Sequence, residues 1–160
     1  MVLFYKNMNK EELELLMDEA LKEAYKAYKI NEIPVGCIII NEKKEIIGRG
    51  YNTRENTLDI LGHAEINAIK DAIKNTNSKI LNNTTIIVNL EPCLMCLGAI
   101  KEAHINNIVI ANKNDKYSPN ERRLRDDFYF ENKINFIYGI KENESKALIN
   151  KSLKEIRKKI

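Results

Sequence analysis

Short apolar runs rich in β-branched residues alternate along this chain with longer segments that have helical character. The runs at residues 35–41, 84–89, 107–111 and 134–138 have the length and composition of strands. Residues 45–51 follow the first run across a polar turn and form its hairpin partner, in which Gly48 and Gly50 mark a bulge or a close backbone approach. This alternation predicts an α/β domain, and the hairpin makes its five-stranded sheet mixed rather than all parallel.

Four segments are predicted to be helical. The first begins at Asn9, where Glu12 three residues later completes a capping-box pattern, and it ends before Pro34. The others run from residue 63 to about 74, from 93 to about 103, and from 141 to the end, where Ile160 continues the apolar face. Residues 52–62 are expected to form a loop. Residues 113–127 are polar and lack a clear period, although the end of this segment has helical character.

Length and composition favour a single domain spanning residues 1–160. A chain of 160 residues with 44% hydrophobic and 31% charged side chains buries roughly 70% of its unfolded surface without disulfide support. No stretch approaches the roughly 20 consecutive apolar residues of a membrane-spanning helix. Charged residues at positions 10–12 interrupt any N-terminal hydrophobic segment. We therefore expect a cytoplasmic protein without membrane association.

Two short segments carry residue types that bind metals. His63-Ala64-Glu65 opens one predicted helix, and Pro92-Cys93-Leu94-Met95-Cys96 opens another, with a strand between them. Each segment alone is weak evidence, because a helix-opening histidine is usually structural and Cys-x-x-Cys also occurs in redox pairs and as buried thiols. Together they supply one imidazole and two thiols at two helix N-termini that can meet on one side of the sheet.

A histidine and two cysteines form a suitable ligand set for tetrahedral Zn²⁺. Helix N-termini stabilise thiolates through unpaired amides and the helix dipole. Three protein ligands leave a position for water, as in catalytic sites, and zinc lowers the pKa of such a water to about 7. Glu65, two residues after His63, is placed to move protons to and from that water. The pattern predicts one zinc ion per subunit and hydrolytic chemistry.

The same pattern, His-x-Glu followed by Pro-Cys-x-x-Cys, is the signature of zinc nucleobase deaminases. Four segments extend the likeness: Ile33-Pro34-Val35-Gly36, Gly50-Tyr51-Asn52, His63-Ala64-Glu65-Ile66, and residues 90–100 around the two cysteines. Over roughly residues 9–112 the chain resembles the bacterial tRNA-specific adenosine deaminases, a family with the cytidine-deaminase-like fold. Two segments depart from the pattern of that family, residues 59–62 and residues 111–114, and the second is followed by a stretch without the usual glycine. Both segments are expected to shape the substrate pocket and the path of the RNA.

The resemblance implies a three-layer α/β fold with a five-stranded mixed sheet flanked by helices. It implies zinc-dependent hydrolytic deamination of the wobble adenosine (position 34) of tRNA to inosine, with release of ammonia. It further implies a homodimer in which the second subunit helps to bind the tRNA anticodon arm. The residue roles that it implies are zinc binding for His63, Cys93 and Cys96, proton transfer for Glu65, and base contact for Asn52 and Ala64.

Basic residues are concentrated at the C-terminus. Residues 151–160 carry a net charge of +4 against +3 for the whole chain, so the first 150 residues sum to −1. Lys154, Arg157 and Lys158 are expected to contact RNA phosphates, because the last helix of the resembled family carries basic residues used in this way. The alternative is a solvated helix end, where cations are favourable in any case.

Two other functions stay open at this point. A free-base or nucleotide deaminase acting on guanine, cytosine or deoxycytidylate would use nearly identical zinc chemistry. A non-catalytic RNA-binding or scaffold subunit would retain zinc, but such subunits commonly lose the glutamate that is present here as Glu65. Of the remaining candidates, Cys37 is predicted to be a buried structural thiol, and His104 is predicted to lie at the surface or at a helix end.

Overall fold

The computed structural model describes residues 7 to 159. The elements in chain order are α1 (Lys10–Lys29), β1 (Gly36–Ile40), β2 (Ile46–Tyr51), α2 (Arg54–Thr57), α3 (Ala64–Thr76), β3 (Thr85–Leu90), α4 (Leu94–Glu102), β4 (Asn107–Asn112), α5 (Pro119–Glu131), β5 (Asn135–Ile137) and α6 (Glu142–Lys158). The predicted α/β class with a five-stranded mixed sheet is confirmed. The prediction that the last helix extends to Ile160 lies outside the described residues. Within the described residues, none of the helices is both long enough and apolar enough to cross a membrane.

The sheet order β2-β1-β3-β4-β5 brings four loop segments to one end of the sheet. Strand β1 is antiparallel to β2 and β3, with Gly36 opposite Tyr51, whereas β3, β4 and β5 are mutually parallel, with Leu90 opposite Asn112. The chain before β1 and the chain after β2, β3 and β4 therefore all lie at this end. Open α/β sheets bind ligands at the carboxyl ends of their parallel strands, so this is the expected place for a site.

The two faces of the sheet are covered by different helices. Cys37 and Ile39 of β1 belong to the core that also contains residues of α3, α4 and α5. Ile38 and Ile40 belong to the second core, which contains residues of α1. Helix α6 also lies on the α1 side, where it contacts α1, β3 and β4. This alternation confirms the three-layer arrangement, and Cys37 is fully buried as predicted.

Helix α1 begins with the predicted capping box. The Glu12 N–H donates to Asn9 Oδ1 at 2.9 Å, and the Asn9 N–H donates to the Glu12 carboxylate at 3.1 Å. The helix packs directly on Gly36 of β1, where an added Cβ would lie under 3.0 Å from backbone atoms of Ala20 and Ala24. Only glycine at this position allows α1 to approach the strand so closely.

Strand β2 packs equally closely on α3. A Cβ at Gly48 or Gly50 would lie under 3.0 Å from backbone atoms of Ala68, so both glycines mark a close backbone approach, one of the two predicted alternatives. The strand also contains an irregularity, because Ile39 pairs with Gly48 while Ile40 pairs with Ile46. The unpaired residue is therefore Ile47, and the bulge lies beside the glycines rather than at them.

The structure differs from the sequence-based expectation in one segment and confirms it in another. The loop predicted over residues 52–62 contains the one-turn helix α2, whereas the helical character expected at the end of residues 113–127 is confirmed by α5, which begins at Pro119. Helix α5 begins after Ser118, whose hydroxyl accepts the Glu121 N–H at 3.2 Å. Its buried residues are Arg125 and Tyr129 rather than aliphatic side chains, so it produces no clear hydrophobic period in the sequence.

Candidate active site

His63, Cys93 and Cys96 come together at the N-termini of α3 and α4. His63 directly precedes α3, and Cys93 directly precedes α4. Each sulfur lies 3.6 Å from His63 Nδ1, and the three ligand atoms all lie within 4.8 Å of one another. The usual zinc–nitrogen and zinc–sulfur bond lengths place the nitrogen and sulfur ligand atoms of one tetrahedral zinc ion about 3.6 Å from each other. The donor set and its spacing therefore fit zinc with one position left for water.

The cluster itself favours a thiolate at Cys93. The hydrogen bond from the Cys96 thiol, followed by that from His63, lowers the pKa of Cys93 to about 4. The same hydrogen bond to Cys93, together with burial, raises the pKa of Cys96. The hydrogen bond with Cys93 likewise raises the pKa of His63. One sulfur is thus already in the form that binds metal, whereas the other must lose its proton when a metal binds.

Glu65 lies in the first turn of α3 and is only 4% exposed. Burial raises the pKa of its carboxyl above the usual value. A carboxyl with a raised pKa can accept a proton and release it again near neutral pH. Glu65 lines the same cavity as His63 and Cys93, so its surroundings suit proton transfer at a substrate held there.

A cavity of about 220 Å³, here called the site cavity, opens beside these residues. It is lined by residues 33, 35, 52, 54, 63–65, 90, 91, 93, 114 and 117, which come from the loops at one end of the sheet and from the start of α3. Five of the predicted residues line it, namely Asn52, His63, Ala64, Glu65 and Cys93, while Cys96 is fully buried beside them. A cavity of this size suits a single small ring system rather than a larger ligand.

Asn52 has a fixed side chain at the cavity wall. Its amide group donates to the Ile33 carbonyl at 3.1 Å, and its side-chain oxygen accepts the N–H of Arg54 at 3.1 Å. Ala64 is fully buried and also lines the cavity. Both residues lie where the resemblance implies, and their contact with a base stays a prediction.

Glu91 is a buried carboxylate on the cavity wall that was not predicted as a site residue. It accepts hydrogen bonds from the Asn114 N–H (3.0 Å), Arg122 Nη1 (2.7 Å), Arg125 Nε (3.2 Å) and the Tyr138 hydroxyl (2.9 Å). Burial alone would raise the pKa of Glu91, but the Asn114 N–H and the Arg122 guanidinium hold it below the usual value. The one available signal was the position of Glu91 directly before Pro92-Cys93. Its contacts join the loop after β3 to the loop after β4.

Three further residues, Arg54, Asn114 and Tyr117, line the cavity. Asn114 belongs to a segment expected to shape the pocket, whereas Arg54 and Tyr117 were not predicted as site residues. Arg54 starts α2, and the other two lie in the loop after β4. None of them belongs to a recognisable motif. Only the strand order brings these loops to the metal-ligand cluster, so the sequence alone carried no signal for Arg54 and Tyr117.

The C-terminal helix α6 lies near the site cavity. A second cavity of about 510 Å³, here called the lysine cavity, shares Ile33, Leu90 and Asn114 with it. Lys113, Lys116 and Lys146 line the lysine cavity together with Ile149 and Leu153 of α6. The predicted RNA contacts, at positions 154, 157 and 158, are exposed further along α6 and line neither cavity.

An acid–base carboxyl beside one imidazole and two thiols is the arrangement found in zinc-dependent nucleobase deaminases, and it places this molecule in that class. The chain belongs to the cytidine and deoxycytidylate deaminase family, because the model of that family's zinc-binding region matches residues 10–112. The match contains β1 to β4 and all the residues of the candidate metal cluster.

Similar proteins carry a more specific name. The tRNA-specific adenosine deaminase of Streptococcus pyogenes serotype M18 is 44% identical over 107 residues, which cover 67% of each chain. That of Rickettsia bellii is 39% identical over 147 residues, covering 88% of this chain and 99% of the relative. The matched part spans only 62% to 67% of the length of the streptococcal relatives. A solved structure from a study of A-to-I editing by tRNA:A34 deaminases has a TM-score of 0.73 and 29% identity, covering 82% of this chain and 96% of that one.

Proposed function

We propose that this protein is a zinc-dependent hydrolase that converts the wobble adenosine (position 34) of tRNA to inosine and releases ammonia. The observation that carries the proposal is the presence of Glu65, His63 and Cys93 on one cavity, with Cys96 completing the ligand set. The relatives named for this activity support adenosine in tRNA as the substrate.

His63, Cys93 and Cys96 would hold one zinc ion per subunit. Zinc, when bound, supplies a water whose pKa is lowered from 15.7 to about 7. Glu65 would take one proton from this water and pass it to N1 of the adenine as the oxygen bonds to C6. It would then move the second proton of that oxygen to the C6 amine, which leaves as ammonia. Burial raises the pKa of Glu65, which favours the protonated form that both transfers pass through.

The target base enters the site cavity outside any base stack. A cavity of about 220 Å³ suits one base. Because C6 can be reached only outside a base stack, the nucleotide is flipped out of the anticodon loop. Asn52 and Ala64 contact the base. The side chain of Asn52 is held at both ends by backbone groups, so its orientation is set before the substrate arrives.

Binding of the anticodon arm uses the basic end of α6. Lys154, Arg157 and Lys158 are exposed there and neutralise phosphates. Lys113 and Lys116 line the lysine cavity together with residues of α6, and this cavity shares lining residues with the site cavity, which supports a path for the RNA across both. A tRNA substrate would place the enzyme in the cytoplasm.

The enzyme acts as a homodimer, with a second copy completing the tRNA surface. Three apolar side chains just before His63 support a partner at this edge, because Leu58 is 92%, Ile60 72% and Leu61 46% exposed. Apolar side chains clustered on a surface often mark an interface. Sedimentation of the zinc-loaded protein tests the dimer, and Leu58→Ser with Ile60→Ser should shift it toward the monomer.

The assay for the proposed function offers the zinc-loaded protein a mixture of tRNAs and anticodon stem-loops, and detects inosine at position 34. Guanine, cytosine and deoxycytidylate are offered in parallel. Inosine in the RNA is the expected result. Deamination of the free bases or of the nucleotide without any inosine in tRNA would overturn the substrate in favour of the alternative deaminases. A zinc content well below one per chain would overturn the metal assignment.

Matched substitutions test proton transfer and zinc binding separately. Glu65→Gln should keep zinc and lose at least about a hundredfold in turnover, whereas Glu102→Gln, an exposed carboxylate on α4, should behave like the unmodified protein. Cys93→Ala should lose zinc, whereas Cys37→Ala should retain it. Normal turnover by metal-replete Glu65→Gln would refute the role of this carboxyl.

A further inference from the structure

The loop after β4, residues 113–118, is polar but held firmly in place. The Asn114 N–H donates to Glu91 at 3.0 Å, and Arg122 Nη2 donates to the Asn114 carbonyl at 2.6 Å. The Lys116 N–H donates to Asn114 Oδ1 at 3.1 Å, and Ser118 caps α5 at the end of the loop. Side chains on a loop fixed in this way can keep a defined position beside a bound ligand.

Tyr117 is the aromatic residue of this loop and lines the site cavity. It shares the cavity wall with Glu65, His63 and Cys93, and it is partly exposed. Burial raises its pKa to about 12, so the side chain is neutral over the whole working range of an enzyme assay. What it offers a ligand is therefore a neutral aromatic ring with a hydroxyl group.

The ring of Tyr117 is supported from helix α5. The guanidinium carbon of Arg125 lies 4.3 Å from the ring centre, a distance at which a cation attracts an aromatic ring. Arg125 is itself 1% exposed and donates to Glu91 and to the Pro92 carbonyl, next to Cys93. The tyrosine is thus connected through a buried arginine to the loop after β3, which carries the candidate metal ligand Cys93.

We propose that Tyr117 is a substrate-contacting residue whose ring stacks on a nucleobase of the RNA bound at the site cavity. The inference rests on the proposed function and deepens it. Proteins hold unstacked bases on aromatic side chains, and such a contact is worth about tenfold or more in affinity. Tyr117 lies five residues beyond the end of the family match at residue 112.

Two substitutions distinguish the contribution of the Tyr117 ring from that of its hydroxyl group. Tyr117→Phe keeps the ring, and Tyr117→Leu removes it. Tyr25→Leu is the matched control, because Tyr25 is 49% exposed on α1 and does not line the site cavity. For each variant, KM and kcat are measured on an anticodon stem-loop, its dissociation constant is measured in parallel, and zinc content and melting temperature are recorded.

The expected result is a rise of about tenfold in KM and in the dissociation constant for Tyr117→Leu, with kcat within about twofold. Tyr117→Phe and Tyr25→Leu should match the unmodified protein, and all variants should keep zinc. Unchanged binding by Tyr117→Leu would overturn the inference, as would an equal defect in Tyr117→Phe or a loss of zinc on removal of the ring.

The proposed function and the inference fail in different ways. If the unmodified protein binds the stem-loop but forms no inosine, the proposed function fails, and the dissociation constants still decide the role of Tyr117. If it forms inosine and Tyr117→Leu binds equally well, only the inference fails. If it does not bind the stem-loop at all, both are overturned.

Discussion

Replacing Gly36 by alanine tests how closely α1 packs on the sheet. The three atoms nearest to an added Cβ all belong to the backbone of α1, at Ala20, Glu23 and Ala24, and all lie under 3.0 Å away. A flexible side chain could rotate aside, but a helix backbone cannot. The methyl group must therefore push α1 away from β1 or distort the strand.

The loss of stability in the Gly36→Ala protein follows from two local effects. Overpacking of a well-packed core costs about 1–3 kcal/mol, and backbone neighbours place this case near the upper end. The Gly36 N–H also donates to the buried Oδ1 of Asn89 at 2.8 Å, and loss of that hydrogen bond adds about 1 kcal/mol. We expect a loss of about 3–4 kcal/mol in the free energy of unfolding. For a domain of this size, that lowers the melting temperature by about 6–16 °C.

Gly98→Ala is the matched control, because it makes the same chemical change in the interior of α4, where an added Cβ meets nothing within 4 Å. Alanine is favoured over glycine in a helix by about 1 kcal/mol, so the melting temperature should rise by about 2–4 °C. Thermal unfolding of the zinc-loaded proteins by circular dichroism measures both. A Gly36→Ala protein that melts within 2 °C of the unmodified protein would refute the close packing of α1 on β1.

Three further predictions concern the site and the RNA surface. Arg125→Met removes one partner of a buried ion pair and should cost about 3–5 kcal/mol in denaturant unfolding, whereas Arg123→Met, on an exposed part of the same helix, should cost little. Zinc binding should release at least one proton, from Cys96, because its raised pKa keeps it protonated in the metal-free protein. Zinc affinity should therefore fall as the pH is lowered. Replacing Lys154, Arg157 and Lys158 together by glutamine should reduce the salt dependence of RNA binding by a slope of about 2.

Each of these predictions has an outcome that contradicts it. Equal stability of the Arg125→Met and Arg123→Met proteins would show that the buried pair contributes little. Calorimetry in two buffers of different ionisation enthalpy measures proton release, and identical heats in both would contradict a protonated Cys96. An unchanged salt slope in the triple variant would mean that the end of α6 does not neutralise phosphates.

The strands that form the centre of the sheet were predicted within about one residue. Residues 84–89 and 107–111 were expected, and Thr85–Leu90 and Asn107–Asn112 are observed. These strands are buried on both faces, so their β-branched composition is the dominant local signal. The start of α1 was predicted for a similar reason, because a capping box is a contact between residues only three positions apart.

The parts of the fold that were predicted less well depend on contacts distant in sequence. Helix α5 buries Arg125, whose guanidinium pairs with Glu91 and donates to the Pro92 carbonyl, both in the loop after β3, so no local pattern could indicate which face of this helix is inside. The metal cluster was predicted because its residue types and spacing are themselves the signal. Tyr117 was not predicted as part of the site, because its loop reaches the cluster only through the parallel pairing of β3 and β4.

His63 and the two cysteines are separated by a complete strand and its loops, and only folding brings them within 4.8 Å. In the unfolded chain the cysteines remain near each other, but the imidazole is about thirty residues away, so metal binds there less tightly. A ligand that prefers the folded state stabilises it by about 4 kcal/mol at a thousandfold excess over its dissociation constant. With zinc as that ligand, a cell short of the metal would hold more unfolded chains, and proteases would remove them. Metal supply would then control the amount of this enzyme as well as its turnover.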